Sequence, residues 1–84
     1  MKELLLYIAK NLVDQPDKVS IVELRGDVTT LELHVAPEDM GKVIGRNGRI
    51  AREIRTIMKS VAQREGRRIN IEIQDGSLSS DVQN

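Results

Sequence analysis

The order in which two apolar periodicities follow one another constrains the fold of this chain more than any other feature of its sequence. Apolar residues that recur every three to four positions indicate an amphipathic helix, and strict alternation indicates a strand with one buried face. Six such segments succeed one another as helix, strand, strand, helix, helix and strand. We expect them at residues 2–13, 19–24, 28–36, 37–44, 48–64 and 69–73.

Residues suited to helix ends bound the second and third helices. Pro37 fits the first position of the second helix, Gly45 stops that helix, and Gly66 is placed to cap the third. Glu38 and Asp39 add negative charge where the dipole of the second helix is positive. These signals separate two helices that would otherwise be read as one.

The apolar faces of the six segments define the predicted core. We expect it to contain Leu5, Ile8, Leu33, Ile54, Ile57, Val61 and Ile71, and the third helix also directs Ile50 and Met58 inward. Three half-apolar strands and three amphipathic helices can bury one another as two layers. The predicted fold class is therefore α+β.

The connections determine how the three strands pair. Residues 25–28 place Gly26 and Asp27 at the centre of a tight hairpin turn, where glycine supplies a positive φ, so the first two strands should be antiparallel. A right-handed crossover through two helices makes the second and third strands parallel. The prediction is a three-stranded mixed sheet packed on three helices.

Length and composition limit the domain organisation. The chain has 84 residues, which suffice for one compact domain and are too few for two. We expect that domain at residues 1–74. Residues 75–84 are polar, lack the apolar content that folding requires, and are predicted to form a disordered tail.

Composition also argues against several classes of function. The chain has no cysteine, and its single histidine, His34, cannot assemble a zinc site alone, so we expect no metal and no cofactor. His34 has no indicated partner for acid–base chemistry, and no catalytic residues are assigned, which argues against an enzyme. No apolar run approaches the roughly 20 residues of a membrane span, so we expect a cytoplasmic protein.

Charge is distributed unevenly, although the whole chain has a net charge of zero. Residues 42–68 carry nine basic side chains against Glu53 and Glu65, a net charge of +7, and the rest of the chain carries −7. An asymmetry of this size indicates a polyanionic partner for one face.

The segment that joins the second and third helices has the features of an anion site. Gly45 and Gly48 let the backbone approach a ligand without a Cβ in the way. Gly48 also opens a helix whose free N–H groups and dipole favour phosphate oxygens. Arg46 and Arg49 add cationic donors beside this surface.

Apolar residues on both sides of the glycines complete the expected site. Val43, Ile44 and Ile50 would offer an apolar floor for bases while the glycine loop holds phosphates. Two other phosphate motifs do not fit. A Walker loop requires Ser or Thr after Gly-Lys, where this chain has Val43, and the dinucleotide fingerprint requires a strand directly before its glycines.

The run from Val43 to Gly48, with the isoleucine-rich basic helix that follows, resembles the GXXG segment of KH domains. In that family the loop clamps about four nucleotides through their backbone. The order of elements over residues 1–74 is similar to the type II, bacterial KH arrangement. At this length the chain resembles the KhpA family of stand-alone KH proteins.

The resemblance implies a protein that grips short single-stranded RNA segments and acts as an RNA chaperone or post-transcriptional regulator. The residues implied to bind RNA are Lys42, Val43, Ile44, Gly45, Arg46, Asn47, Gly48, Arg49, Ile50 and Arg52. It also implies a homodimer and a heterodimer with a second KH protein of the KhpB type.

A second interpretation assigns the fold mainly to protein assembly. Small domains gain stability by pairing, and Leu4, Leu6 or part of the strand at 19–24 could supply the surface. Binding of RNA by the chain alone would distinguish the two interpretations. The choice between RNA and single-stranded DNA stays open, because it depends on contacts to the 2′-hydroxyl.

Overall fold

The structure, a computed structural model, describes residues 1–75. Its helices and strands are α1 Lys2–Leu12, β1 Ser20–Leu24, β2 Thr29–Val35, α2 Met40–Ile44, α3 Arg49–Arg64 and β3 Ile69–Asp75. Single 3-10 turns lie at Pro16–Lys18, Pro37–Asp39 and Arg46–Gly48. The predicted order of six elements is confirmed, with helix and strand ends within a few residues of those expected.

The three strands form one sheet in the order β1-β2-β3. β1 and β2 are antiparallel, and β2 and β3 are parallel, as predicted. In the register, Leu33 lies opposite Ile21 on one side and Ile73 on the other. The central strand thus places aliphatic side chains in a continuous row across the sheet.

The two faces of the sheet differ in character because successive side chains of a strand point in opposite directions. Leu31, Leu33 and Ile71 are buried beneath the helices. On the opposite face Glu32 lies beside Glu72 of β3 and beside Val22 of β1. This opposite face carries no helix among the described residues, and we call it the open face.

The core lies between the sheet and the helices. Its largest fully buried side chains are Leu5, Leu31, Leu33, Val35, Asp39, Val43 and Met58. The prediction that Ile57 is part of the core is wrong, since its side chain is 47% exposed. α3 instead turns Ala51, Ile54, Met58 and Ala62 inward, and Ile57 lies about 100° round the helix from Met58.

The hairpin connection differs from the tight turn predicted. Leu24 pairs with Thr30, so residues 25–29 lie between the paired positions. Gly26 is not among the residues with positive φ. A connection of this length reverses the chain without a left-handed residue at that position, so the expected role of Gly26 is wrong.

The second helix begins later than predicted, because Pro37–Asp39 form a 3-10 turn before α2. The Asp39 side chain is 1% exposed and accepts two backbone hydrogen bonds, from the N–H of Asp14 at 3.2 Å and of Gln15 at 3.0 Å. It makes no side-chain cap to α2. Asp39 thus ties the chain after α1 to the beginning of α2, in addition to placing a charge there.

The end of α3 confirms the predicted glycine cap. Gly66 has φ +70°, its N–H donates to the Gln63 carbonyl at 3.0 Å, and the Arg67 N–H donates to the Ala62 carbonyl at 2.9 Å. These two bonds are those of a Schellman motif. They reverse the chain from the helix into β3.

Asp75, the first residue of the predicted tail, is the last residue of β3. The remainder of that predicted tail, residues 76–84, lies outside the described residues. Within residues 1–75, none of the helices combines the length and the apolar character that crossing a membrane requires.

Candidate nucleic-acid interface

The loop between α2 and α3 consists of residues 45–48, and we call it the glycine loop. Three of its four residues have positive φ: Gly45 (φ 77°, ψ 173°), Asn47 (φ 57°, ψ 24°) and Gly48 (φ 73°, ψ 15°). The Gly45 carbonyl accepts the Gly48 N–H at 3.1 Å, and the Gly45 N–H donates to the Gly41 carbonyl at 2.9 Å. The loop is therefore one compact turn fixed by its own backbone.

Gly45 is required for a steric as well as a conformational reason. An ideal Cβ at this position would lie 2.6 Å from Cγ1 of Ile50 and 2.9 Å from its Cβ. Its φ and ψ also fall in a region that is essentially restricted to glycine. Gly48 differs, because a Cβ there would meet no atom of the described residues within 4 Å. The first glycine thus permits close packing, and the second permits the left-handed turn.

The side chains of the glycine loop face solvent. Arg46, Asn47 and Arg49 are exposed, and together with Ile50 they line a recess of about 300 Å³. Among residues 1–75, no side chain caps the N-terminus of α3, whose first residue is Arg49. Backbone donors at this helix end, the positive end of its dipole and two guanidinium groups therefore converge on one surface that suits a phosphate.

The expected apolar floor is only partly present at the surface. Val43 has no exposed side-chain area and belongs to the core. The prediction that its side chain offers a surface for bases is therefore wrong. Val43 supports the loop from beneath. Ile44 and Ile50 are half-buried beside the loop and offer the remaining apolar surface.

Two further cations predicted for the site lie next to the glycine loop in sequence, and both are exposed. Lys42 pairs with Asp14 across 3.4 Å, and both side chains are exposed to solvent. A pair of this kind contributes roughly 0–1 kcal/mol, so it would yield readily to a phosphate. Arg52 lies on α3 one turn after Arg49.

Arginines at the loop end of α3 are not neutralised by any carboxylate in the part of the chain that the structure describes. Among residues 1–75, no ion pair involves Arg46, Arg49 or Arg52. Unpaired guanidinium groups on an exposed surface attract a polyanion and can bind its oxygens in a bidentate manner. The positive charge inferred from the sequence is thus available to a ligand.

Arg55 is a contact that the sequence did not reveal. Its Nε donates to the carbonyl oxygen of Ile71 at 3.1 Å, which joins α3 to β3. The Arg68 carbonyl accepts the N–H of Thr29 and so points toward β2. Along a strand of a parallel sheet, the backbone N–H and C=O groups of successive residues point alternately toward one neighbouring strand and away from it. By that alternation the Ile71 carbonyl lies on the outer edge of the sheet, so Arg55 partly covers that edge. Nothing in the spacing of Arg55 distinguished it from its basic neighbours.

Comparisons with known proteins agree with this geometry. Residues 2–73 match the family model of the KhpA/KhpB KH domain. The RNA-binding protein KhpA of Clostridium acetobutylicum is 57% identical over 74 residues, which are 87% of this chain and 99% of that protein. Those of Chlamydia pneumoniae and Aquifex aeolicus are 50% and 45% identical and cover 89% and 87% of this chain and 97% and 94% of their own lengths. No solved structure matches the chain. This chain is an α-β-β-α-α-β domain with its glycine loop between two helices, and the family model matches it over nearly its whole length. The chain belongs to the KhpA/KhpB KH-domain family.

Proposed function

We propose that this chain binds short segments of single-stranded RNA by holding their phosphates at the glycine loop. The observation that carries the proposal is the surface formed by Arg46, Asn47, Arg49 and Ile50, where exposed cations, a helix N-terminus and an apolar side chain border one recess. Phosphates would contact the loop amides and guanidinium groups, and a base would rest on Ile44 and Ile50. Lys42 and Arg52 would add cationic contacts at the border.

The relatives support RNA as the ligand. The similar proteins of Clostridium acetobutylicum, Chlamydia pneumoniae and Aquifex aeolicus are each named RNA-binding protein KhpA. Binding without catalysis fits these names, and we propose an RNA chaperone or post-transcriptional regulator of the cytoplasm. The binding domain would extend through the end of β3 at Asp75, one residue beyond the predicted 1–74, and residues 76–84 would be dispensable for binding.

The first prediction concerns the salt dependence of RNA affinity. If the glycine loop and its flanks neutralise about three phosphates, log affinity should fall with log salt concentration with a slope of about −2, since each phosphate of a single strand contributes about −0.7. Titration of labelled single-stranded RNA with the chain alone, at several salt concentrations, measures this slope. Substitution Lys10→Gln, at an exposed position of α1, should leave it unchanged. A slope near zero would remove the phosphate-holding mechanism.

The same titration with single-stranded DNA of identical base sequence addresses sugar selectivity. Weaker binding of the DNA would identify a contact to the 2′-hydroxyl, whereas equal binding would show that phosphates and bases supply all of the affinity.

The assembly interpretation has its own support in exposed apolar side chains. Val22 and Leu24 are exposed on the open face of the edge strand β1, and Ile57 is exposed on α3. The predicted contributions of Leu4 and Leu6 are smaller, because both are half-buried against the core. We propose a homodimer, and a heterodimer with a KhpB-type KH protein, as arrangements in addition to RNA binding.

The second prediction concerns self-association. Sedimentation across a concentration series should show a dimer that dissociates on dilution. Ile57→Asp and Val22→Asp, tested separately, should identify the exposed patch that carries the contact, because a buried unpaired carboxylate opposes association. A monomer at every concentration would leave the chain needing another partner, or several contacts to one RNA, for avidity.

A further inference from the structure

A second cationic surface lies at the opposite end of α3 from the glycine loop. An open recess of about 530 Å³ is bordered there by Lys59 and Gln63 of α3, by Arg67 and Arg68 after the helix, and by Asn70 of β3. We call it the distal recess. The candidate site described above does not include this recess, because that site is built from α2, the glycine loop and the first turn of α3.

Backbone hydrogen bonds hold the two arginines of the distal recess in place. The Schellman motif at Gly66 fixes the backbone N–H of Arg67, and the Arg68 carbonyl accepts the N–H of Thr29 at 3.1 Å. Both arginine side chains are nevertheless exposed. A rigid backbone that carries exposed guanidinium groups is suited to recognising a phosphate chain with little loss of conformational freedom in the main chain.

The charges of the distal recess are not used within the described protein. Among residues 1–75, no carboxylate forms an ion pair with Lys59, Arg67 or Arg68. Basic residues near a helix C-terminus commonly offset the negative end of its dipole. Here the Ala62 and Gln63 carbonyls already accept backbone N–H groups, so dipole compensation explains only part of this positive charge.

One side of α3 connects the glycine loop to the distal recess. Arg52, Arg55 and Lys59 follow one another at spacings of three and four residues, which places them on the same side of the helix. Arg55 identifies that side as the one next to the outer edge of β3, through its bond to Ile71. The 16 residues of α3 extend for about 24 Å, so cations border a continuous path of that length.

We propose that the distal recess binds phosphates of the same RNA strand whose backbone is held at the glycine loop. This inference rests on the proposed function and extends it from a short segment to a longer one. At a stacked rise of about 3.4 Å per nucleotide, a span of about 24 Å corresponds to about seven nucleotides, and a more extended strand needs fewer. An RNA of about four nucleotides reaches the loop alone, whereas one of about twelve reaches both sites.

The test compares the affinity of two oligouridines, one of about four and one of about twelve nucleotides, for the full chain and for Arg67→Gln/Arg68→Gln. The double variant should bind the short RNA within about twofold of the parent and the long RNA at least fivefold more weakly, because avidity between two linked sites is lost. The salt slope for the long RNA should become shallower by about 1.4, the value for two phosphates of a single strand.

A matched control removes the same charge elsewhere. Lys10→Gln/Lys18→Gln takes two exposed cations from outside the path and should leave both affinities unchanged. The melting temperatures of both double variants are measured without RNA. A loss of helix-dipole compensation would lower the melting temperature, whereas a loss of RNA contact alone would leave it unchanged. If Arg67→Gln/Arg68→Gln binds the long RNA as well as the parent does, the inference is overturned.

Failure of the inference can be told apart from failure of the proposed function. If the short RNA binds and depends on the glycine loop while the long RNA gains nothing from Arg67 and Arg68, only the distal recess is refuted. If neither RNA binds the parent chain, both proposals fall together.

Discussion

Substitution Gly45→Ala should lower the free energy of unfolding by about 3 kcal/mol, because two separate costs coincide at this residue. The φ of 77° and ψ of 173° lie in a region where a non-glycine residue is strained by about 1–3 kcal/mol. The new Cβ would also lie 2.6 Å from Cγ1 of Ile50. For a domain of this size, about 3 kcal/mol corresponds to a fall in melting temperature on the order of 15 °C.

Two other glycines provide matched controls for this measurement. Gly48→Ala introduces a Cβ into open space at a left-handed residue, and should cost about 1 kcal/mol. Gly41→Ala lies within α2, where a Cβ also meets nothing, and should be neutral or stabilising by up to about 1 kcal/mol. Thermal unfolding followed by circular dichroism ranks the three variants.

The contact with the outer part of the Ile50 side chain can be isolated by a double-mutant cycle. Ile50→Ala removes Cγ1 and Cδ1, which the new Cβ would meet at 2.6 and 2.9 Å, and keeps the Cβ of residue 50. It should therefore cost less stability in the Gly45→Ala background than in the parent. If Gly45→Ala unfolds at the same temperature as Gly48→Ala, the close packing between loop and helix is not a constraint on this residue.

Local sequence signals were sufficient for most of the fold. Apolar period and the positions of glycine and proline depend on neighbouring residues only, and they predicted all six elements and the cap at Gly66. The parallel pairing of β2 with β3 was then predicted from the right-handedness of crossovers. The position of the glycine loop between α2 and α3 was also predicted from local signals, because Gly45 ends one helix and Gly48 precedes the next.

The errors concern features that depend on distant parts of the chain. Ile57 was placed in the core because it lies three residues after Ile54 and four before Val61, which is the spacing of one helical face. The contact of α3 with the rest of the fold instead centres on Met58 and includes Ala51 and Ala62. Asp39 binds backbone groups some 25 residues earlier in the chain, which no local spacing can indicate.

The candidate site was predicted less fully than the fold. Its glycines and its cations carry recognisable local signatures, and the structure brings Arg46, Asn47, Arg49 and Ile50 to one recess. The depth of each aliphatic side chain depends on how the helices pack. Val43 was therefore assigned to the surface although it lies in the core.

The central claim is that the glycine loop holds RNA, and replacing its two middle residues tests it with little effect on the fold. Arg46 and Asn47 are exposed, and Asp tolerates the left-handed conformation found at residue 47. Two carboxylates near the N-terminus of α3 also suit the helix dipole. Arg46→Asp/Asn47→Asp should therefore change stability by no more than about 0.5 kcal/mol.

A control with the same change in charge is available at the hairpin connection. Arg25→Asp/Gly26→Asp replaces one arginine and one neutral residue at exposed positions. The hairpin connection leads into the first residue of β2, whereas the glycine loop comes after the last residue of β2 and after α2. The connection and the glycine loop therefore lie at opposite ends of the sheet. The control should bind a short RNA nearly as well as the parent.

The deciding measurement is the affinity of Arg46→Asp/Asn47→Asp for a short single-stranded RNA, made on protein whose circular dichroism and melting temperature match those of the parent. The new carboxylates would face the phosphates directly, so affinity should fall at least about tenfold, or about 1.4 kcal/mol, while the Arg25→Asp/Gly26→Asp control is unaffected. A folded variant that binds RNA as tightly as the parent would contradict the account: the glycine loop would then be only a turn between two helices, and the assembly surface would become the leading explanation of the fold.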